Sequence, residues 1–399
     1  MAKKLKLKGF GFKDILSFLN KGKEREGVIN QASHAEVPQD YPINHAAKQR
    51  HPYQQEFQII AVFDHKNGMK TYRLARKDRK NPALFRAGQY LVVRQEIEGK
   101  LIARPISISS GIEDAMRGYL DLTIKNNPNG FFSKYVFKHW QEGDTVIASG
   151  PQGEFYYSRL RDEKHVIAIA GGSGITPILS LAKAIDSQDE EFELDVLYFV
   201  KSKEDSIYLE EWEKLCKNPA IRFHLVSEKK EDKTKWTGFV NAEMISRLAK
   251  GEPYSLFACG PQGMYVHLDR VANELGLDRK HYRKEIFGSY KNPAELEGYK
   301  LIQTDRPLKA IVHMCGITTE IPLDPNETVL TAFERAGIAG PNRCRGGICG
   351  YCRSKLISGE VFTPADIDGR RAHDKELGYI HPCCCFPLTD IELDVPNNK

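Results

Sequence analysis

The segment Pro341–Cys352 reads PNRCRGGICGYC and sets Cys344, Cys349 and Cys352 in a C-x4-C-x2-C spacing, with Cys383 beyond them. Four thiolates in such a spacing can hold a [2Fe–2S] cluster. Gly346, Gly347 and Gly350 suit a loop that takes positive φ and turns backbone N–H groups toward the sulfides. A zinc site usually pairs one C-x2-C with a second close pair, and none is evident at this spacing. The fourth position stays open among Cys383, Cys384 and Cys385, which are adjacent. Cys216 and Cys315 are expected to be core thiols on a helix and a strand. Seven of the nine cysteines fall between Cys315 and Cys385, a distribution that speaks for a metal site and against a disulfide scaffold.

Working outward, residues 308–399 begin with two strands, KAIVHMC and TTEIPL, and a helix, ETVLTAFERAG, before the cysteine loop. Residues 288–307 contain Pro293 and Pro307 with few apolar anchors and read as a linker. Over 161–287 the strands HVIAIA, LDVLYFV, RFHLVSE and YSLFAC alternate with helical stretches beginning near Pro177, Ile207, Asn241 and Gln262. That alternation predicts a doubly wound parallel α/β sheet. Over 53–160 short alternating strands with turn signals at Asn67-Gly68 and Glu98-Gly99 predict an antiparallel β-barrel. The chain is therefore multidomain. Residues 1–52 form a Lys-rich extension in which Phe12, Ile15, Leu16, Phe18 and Leu19 fall on one helical face, while 31–50 show no periodicity.

The charge belongs to that extension. The chain carries 58 Lys and Arg against 53 Asp and Glu, and residues 1–26 alone hold eight basic and three acidic side chains, which is the whole excess. The balanced remainder argues against nucleic acid as a partner. The longest uncharged apolar stretch, Val166–Ala182, is broken by three glycines and Pro177, so no membrane-spanning helix is expected. Lys13 and Asp14 split the apolar part of the N-terminal segment, which argues against a secretory signal and for a cytoplasmic protein.

Two further motif groups complete the pattern. AIAGGSGITPILSLAKAI (168–185) is a strand, a glycine-rich turn and a helix start, a form that brings backbone and helix N-terminus up to a pyrophosphate. FACGPQGMY (257–265) places Cys259, Gly260 and Pro261 at a carboxyl edge of the same sheet, where ligands bind. In the barrel, RPISISS supplies Arg104, Pro105, Ile106, Ser107 and Ile108, and KNNPNGFFSKYV supplies Lys125, Gly130, Phe131, Phe132 and Ser133. Arg104 and a helix N-terminus together could neutralise a diphosphate.

Taken in order, RPISIS, G-x2-S, GGSGITP, CGP and the cysteine loop resemble the ferredoxin–NADP reductase superfamily fused to a C-terminal plant-type ferredoxin domain, over about residues 55–395. Within it the pattern is most similar to reductase components of bacterial oxygenase systems. The resemblance implies a β-grasp fold for the last domain and Cys344, Cys349, Cys352 and Cys383 as cluster ligands, because the ferredoxin C-x3-P pattern selects Cys383 through Pro387. It gives Arg104 to a flavin phosphate and Ser107 to the neighbourhood of flavin N5. The stacking Tyr of the family is Ile106 here, a departure shared with the electron-transfer subunit of dihydroorotate dehydrogenase. Gly130, Phe131 and Ser133 would cap the flavin pyrophosphate, which favours FAD over FMN. Gly171, Gly172, Gly174, Thr176 and Pro177 would hold the nicotinamide dinucleotide, with Thr176 and Cys259 flanking the nicotinamide. Glu285 matches a family acidic position near the flavin, so Ser107, Cys259 and Glu285 form the implied catalytic set. Glu228 stands where NADP-specific relatives tend to carry Arg, which favours NADH, although Lys201, Lys203 and Lys229 could serve NADPH.

The implied function is electron transfer from NAD(P)H through FAD to a [2Fe–2S] cluster and on to a protein acceptor such as an oxygenase or hydroxylase. The alternatives are an electron-transfer subunit of a permanent complex and a reductive activator of an anaerobic metalloenzyme. Lys3, Lys4, Lys6 and Lys8, with the Phe12–Leu19 face, read either as a solvated tail or as a handle for an acidic partner or membrane surface.

Overall fold

The computed structural model describes residues 12–31, 41–288, 290, 292–300 and 306–397. The chain divides into two compact units, residues 1–47 and 48–399. In the first, the expected apolar turn is part of a 20-residue helix, α1 (Phe12–Gln31), on which Leu16, Val28 and Ile29 are exposed. A second helix, α2 (Pro42–Arg50), forms within the stretch that shows no periodicity. Pro42 opens it, strong helix formers (Ala46, Ala47, Lys48, Gln49) continue it, and none of its residues is buried, so propensity builds it without leaving an apolar period.

The larger unit starts with an antiparallel sheet of six strands: β1 (Gln55–Asp64), β2 (Met69–Arg76), β3 (Tyr90–Ile97), β4 (Lys100–Ser107), β5 (Tyr119–Lys125) and β6 (Thr145–Ala148), in the order β4-β3-β6-β1-β2-β5. Glu98 and Gly99 both take positive φ, which closes the tight β3–β4 hairpin. The edges meet where Ile108 bridges to Leu122 and the Ser109 N–H donates to the Asp121 carbonyl at 2.9 Å, so the sheet curls into a barrel. Phe57, Tyr72, Leu74, Leu91 and Leu122 fill its interior. Pro105 lies on the outer strand β4, where its missing N–H costs no ladder bond on the open side. Two short helices, α3 (Ile112–Met116) and α4 (Phe131–His139), complete this region.

The parallel sheet follows, with β7 (His165–Gly171), α5 (Ile175–Asp186), β8 (Glu193–Val200), α6 (Leu209–Leu215), β9 (Ile221–Ser227), β10 (Trp236–Thr237), α7 (Ala242–Ala249), β11 (Ser255–Cys259), α8 (Gln262–Glu274) and β12 (Tyr282–Glu285). Its order, β10-β9-β8-β7-β11-β12, reverses direction beside β7, the switch point at which such sheets bind ligands. Asn241 caps α7 by accepting from the Met244 N–H. Helix α6 starts at Leu209, later than expected, because Tyr208 before it is left-handed. One polar rung crosses the apolar strands: Asp195 accepts from Arg222 at 2.7 Å and pairs with His165 at 2.8 Å. Burial opposes its ionisation, but hydrogen bonds from His165, His224 and Arg222 hold it well below the usual carboxylate range.

The last region holds β13 (Leu308–Met314), β14 (Ile317–Leu323), α9 (Val329–Arg335), β15 (Ser354–Ser358), β16 (Val361–Phe362), α10 (Ala372–Glu376), β17 (Tyr379–Ile380), β18 (Phe386–Pro387) and β19 (Ile391–Val395). A five-stranded sheet runs β14-β13-β19-β15-β17, with an antiparallel first hairpin and β19 returning parallel to β13, the β-grasp arrangement. Cys315 sits exposed in the turn of that hairpin with φ of 55°, and Cys216 is exposed after α6, so neither is the core thiol expected. Cys384 and Cys385 are fully buried. One apolar cluster runs from Leu256 and Tyr265 through Ile286 to Phe333, Cys352 and Cys384, joining this core to that of the parallel sheet. Among the described residues no helix is long and apolar enough to cross a membrane.

Candidate functional site

The glycine-rich turn Gly171–Gly174 links β7 to α5 at the switch point. A Cβ on Gly174 would lie 1.9 Å from the Cys259 carbonyl oxygen, so only glycine allows the turn to lean on Cys259, Gly260 and Pro261 at the end of β11. Thr176 is buried and donates its hydroxyl to the Ser173 carbonyl at 3.0 Å, and Pro177 is buried beside it. Both shape the turn. No side chain caps α5, and its Ile175 N–H is taken by the Gly172 carbonyl of the turn itself. Lys125, from the end of β5, brings its ammonium to 3.6 Å from the Cβ position of Gly172.

The three residues of the implied catalytic set come together at one junction. Cys259 and Glu285 are register partners on β11 and β12. A Cβ on Gly153 would lie 2.8 Å from the Tyr90 ring and 3.5 Å from Glu285 Oε2, and Tyr90 is the ladder partner of Ser107. Ser107, Tyr90, Glu285 and Cys259 therefore line one buried corner between barrel and parallel sheet. Burial pushes the Glu285 carboxyl up to about 8, with charge at Cys349 and Glu154 adding to the shift, and burial likewise raises the Cys259 thiol. Glu285 Oε2 and Gln262 Nε2 are buried without a hydrogen-bond partner among the described residues. Unmatched polar atoms beside an uncapped helix and a glycine cradle fit a bound nucleotide or flavin edge. Tyr90, which stands edge-on to Phe287 at 5.4 Å, and Gln262 were missed by sequence reasoning. Only the β3–β4 register exposes Tyr90.

Other predicted residues are placed differently. Gly130 is the uncapped start of α4, with Phe131 exposed and Phe132 buried. The Ser133 hydroxyl accepts from the Asn127 N–H at 3.0 Å and so closes its own loop. Beside it lies a cavity of about 490 Å³ lined by Asn126, Phe131, Lys134 and Tyr135. A second cavity, of about 590 Å³, lies between β2, β5, α5 and α6 and contains none of the predicted residues. Ile108 is fully buried and its N–H donates to the Gln89 carbonyl, while Ile106 is half-buried against the barrel core. The Arg104 guanidinium donates to Glu334 on α9 at 2.8 and 3.2 Å.

The cysteine loop packs into the same junction. Cys344 lies against Tyr90, Val92 and Ala103 of the barrel, and a Cβ on Gly346 would strike the Ile286 carbonyl at 2.5 Å. Gly347 and Gly350 take positive φ as expected. Gly346 does not, and the third left-handed position is Arg345, with φ of 56°. The Gly346 N–H donates to Cys344 Sγ at 3.4 Å, and His381 Nδ1 donates to the Gly347 carbonyl at 2.7 Å. The thiols pair: Cys344 with Cys349, and Cys352 with Cys383. In each pair the donor is raised and the acceptor lowered, Cys349 to about 6 by the Cys344 hydrogen bond and Cys383 well below the thiol range by that of Cys352. Among the described residues no three His, Cys, Asp or Glu side chains converge as a single-ion site. Two thiol pairs are the donor set that two irons require, each iron being held by two thiolates.

Comparison with known proteins agrees with this architecture. Family models match an oxidoreductase FAD-binding domain at 57–157, an oxidoreductase NAD-binding domain at 168–269 and a 2Fe-2S iron-sulfur cluster binding domain at 312–388. The chain is 27% identical to the glycine betaine monooxygenase reductase subunit of Chromohalobacter salexigens over 78% of this chain and 87% of that one. It is 26% identical to the NADH oxidoreductase HCR of Escherichia coli over 77% and 88%. The structure of phthalate dioxygenase reductase superposes with a TM-score of 0.63 at 22% identity, covering 86% of this chain and 98% of that one, and shares the fold. With all three domains present in that order, the protein is an NAD(P)H-dependent flavin and iron–sulfur oxidoreductase and belongs to the ferredoxin–NADP reductase superfamily, in the branch whose reductase is followed by a plant-type [2Fe–2S] ferredoxin domain.

Proposed function

We propose that this chain is the reductase component of an oxygenase system, taking reducing equivalents from NADH and delivering them singly to an oxygenase or hydroxylase protein. The observation that carries this reading is the shared junction, where Ser107, Tyr90, Cys259 and Glu285 meet the loop bearing Cys344 and Cys349. The relatives named as a monooxygenase reductase subunit and a dioxygenase reductase support the choice of acceptor. The reading divides the chain into a basic extension (1–52), a flavin barrel (53–160), a nucleotide domain (161–287), a linker (288–307) and a ferredoxin domain (308–399).

Bound here, the nicotinamide, flavin and cluster supply hydride donation, conversion of a pair to single electrons, and one-electron delivery. The chain's own residues do the positioning. Arg104, Lys125 and the start of α4 at Gly130, Phe131, Phe132 and Ser133 would hold the FAD phosphates, on a strand shaped by Pro105, Ile106 and Ile108. Gly171, Gly172, Gly174, Thr176, Pro177, Gly260 and Pro261 would cradle the dinucleotide. Ser107, Cys259 and Glu285 would line the reacting edge, where Glu285, raised to about 8, holds a proton near neutral pH and adds no charge. Cys344, Cys349, Cys352 and Cys383 would ligate the cluster. NADH is favoured over NADPH because Glu228 is exposed after β9 and Asp232, which accepts from the Lys203 N–H at 2.7 Å, adds a second acid beside Lys203 and Lys229. The basic extension is read as a handle for an acidic partner or membrane surface. Its Lys3, Lys4, Lys6 and Lys8 lie outside the described residues.

Anaerobic titration tests the relay. NADH should bleach the flavin and then the cluster, with NADPH weaker, and Cys349→Ser should lose cluster absorbance while its flavin still bleaches with NADH. Inertness toward both nucleotides, or a cluster that survives in Cys349→Ser, would overturn the reading.

A further inference from the structure

Arg104 is the residue that the motif gives to a flavin phosphate, and the fold gives it another partner. Glu334, 6% exposed, lies in the last turn of α9, where a carboxylate opposes the helix dipole. Helix stability does not account for an acid at that position. Its Oε1 accepts from Arg104 Nη1 at 2.8 Å and from Arg345 Nη1 at 2.7 Å, and its Oε2 accepts from Arg104 Nη2 at 3.2 Å. Arg104 comes from β4 of the barrel, and Arg345 follows Cys344 in the cysteine loop.

The two arginines bracket one apolar contact. Ala103, beside Arg104, and Cys344, beside Arg345, belong to one buried apolar patch with Tyr90 and Val92. Two guanidinium groups thus face each other across a domain boundary with a single buried carboxylate between them. Removing that carboxylate would leave two like charges at the seat of the loop, and a buried charge without its partner is far costlier than an absent pair.

We infer that Glu334 is a positioning residue that clamps the cysteine loop onto the flavin-binding barrel by holding Arg104 and Arg345 together. The clamp sets the distance across which electrons leave the flavin side for the cluster, and it draws on the same guanidinium that would meet the flavin phosphate. A structural ion pair inside the ferredoxin domain would need only Arg345.

The inference rests on the relay proposed above, and one stopped-flow experiment separates the two. Wild type and Glu334→Gln, both replete with FAD and iron, are mixed anaerobically with NADH while flavin bleaching and cluster reduction are followed separately. Glu334→Gln should bleach its flavin at the wild-type rate and reduce its cluster about tenfold more slowly or worse. The slowed step should become dependent on solvent viscosity, because an undocked domain must find its seat by diffusion. Cluster reduction at the wild-type rate, with no viscosity dependence, overturns the clamp while leaving the relay standing. Failure of wild type itself to bleach with NADH overturns both. Should Glu334→Gln not retain iron, Glu334→Asp replaces it, since it keeps the buried charge but draws the carboxylate back from the two guanidinium groups. A cluster reduced slowly relative to its own flavin supports the clamp, and the wild-type ratio overturns it.

Discussion

Two glycine-bearing turns dominate this molecule, and they are held in different ways. The Gly171–Gly174 turn leans on the neighbouring strand of its own sheet, through the contact of Gly174 with the Cys259 carbonyl. The cysteine loop leans on its own domain at Gly347, on Ile286 of the nucleotide region at Gly346, and on the barrel through Cys344, while Arg345 reaches Arg104 of the barrel by way of Glu334. The first is a local device that any α/β sheet can carry. The second touches three regions at once, which suits a site that must receive electrons from a neighbour.

The largest effect should come from Gly347→Ala. Its φ of 81° disfavours any side chain, and a Cβ would lie 2.2 Å from the Ile367 carbonyl. Loss of cluster absorbance is expected, with NADH-dependent flavin bleaching retained. Loss of both would show that the two turns are not held separately. Next in size is Gly174→Ala, which should raise the KM for NADH by roughly tenfold to a hundredfold by displacing the turn, with iron content unchanged. A normal KM would mean that the turn is not the dinucleotide cradle.

The smallest effect should come from Asp195→Asn, at the polar rung of the parallel sheet. It should destabilise that region by about 1–2 kcal/mol at pH 7, seen in thermal melts, without moving the NADH KM. The sign follows from the lowered carboxyl: its stabilisation is present above the ordinary carboxylate value of about 4 and is lost as pH falls through the lower folded-state value. The gap between wild type and variant should therefore close on acidification. A gap that widens, or a raised KM, would show that the rung supports the turn after all.

Much of the fold was legible along the chain. The hairpin at Glu98-Gly99, the cap at Asn241, the alternation over 161–287 and the glycine-rich turn each obey a rule that spans only a few residues. Where the reading failed, a local rule was silent or outvoted. Helix α2 has propensity but no apolar face, and Cys315 sits at a tight turn that ends its strand one residue early. Ser133 and Thr176 carry motif spacing, but in the fold their hydroxyls serve their own loops.

The sequence by itself determined that there are three modules, their order and their chemistry, because backbone period, glycine placement and cysteine spacing are short-range facts. Tertiary structure decided that Tyr90 joins Ser107 and Glu285, and that Arg104 turns to Glu334. These depend on side chains that meet across domain boundaries, Arg104 and Glu334 from 230 residues apart, where the energy lies in desolvation and charge pairing and leaves no periodic trace in the chain.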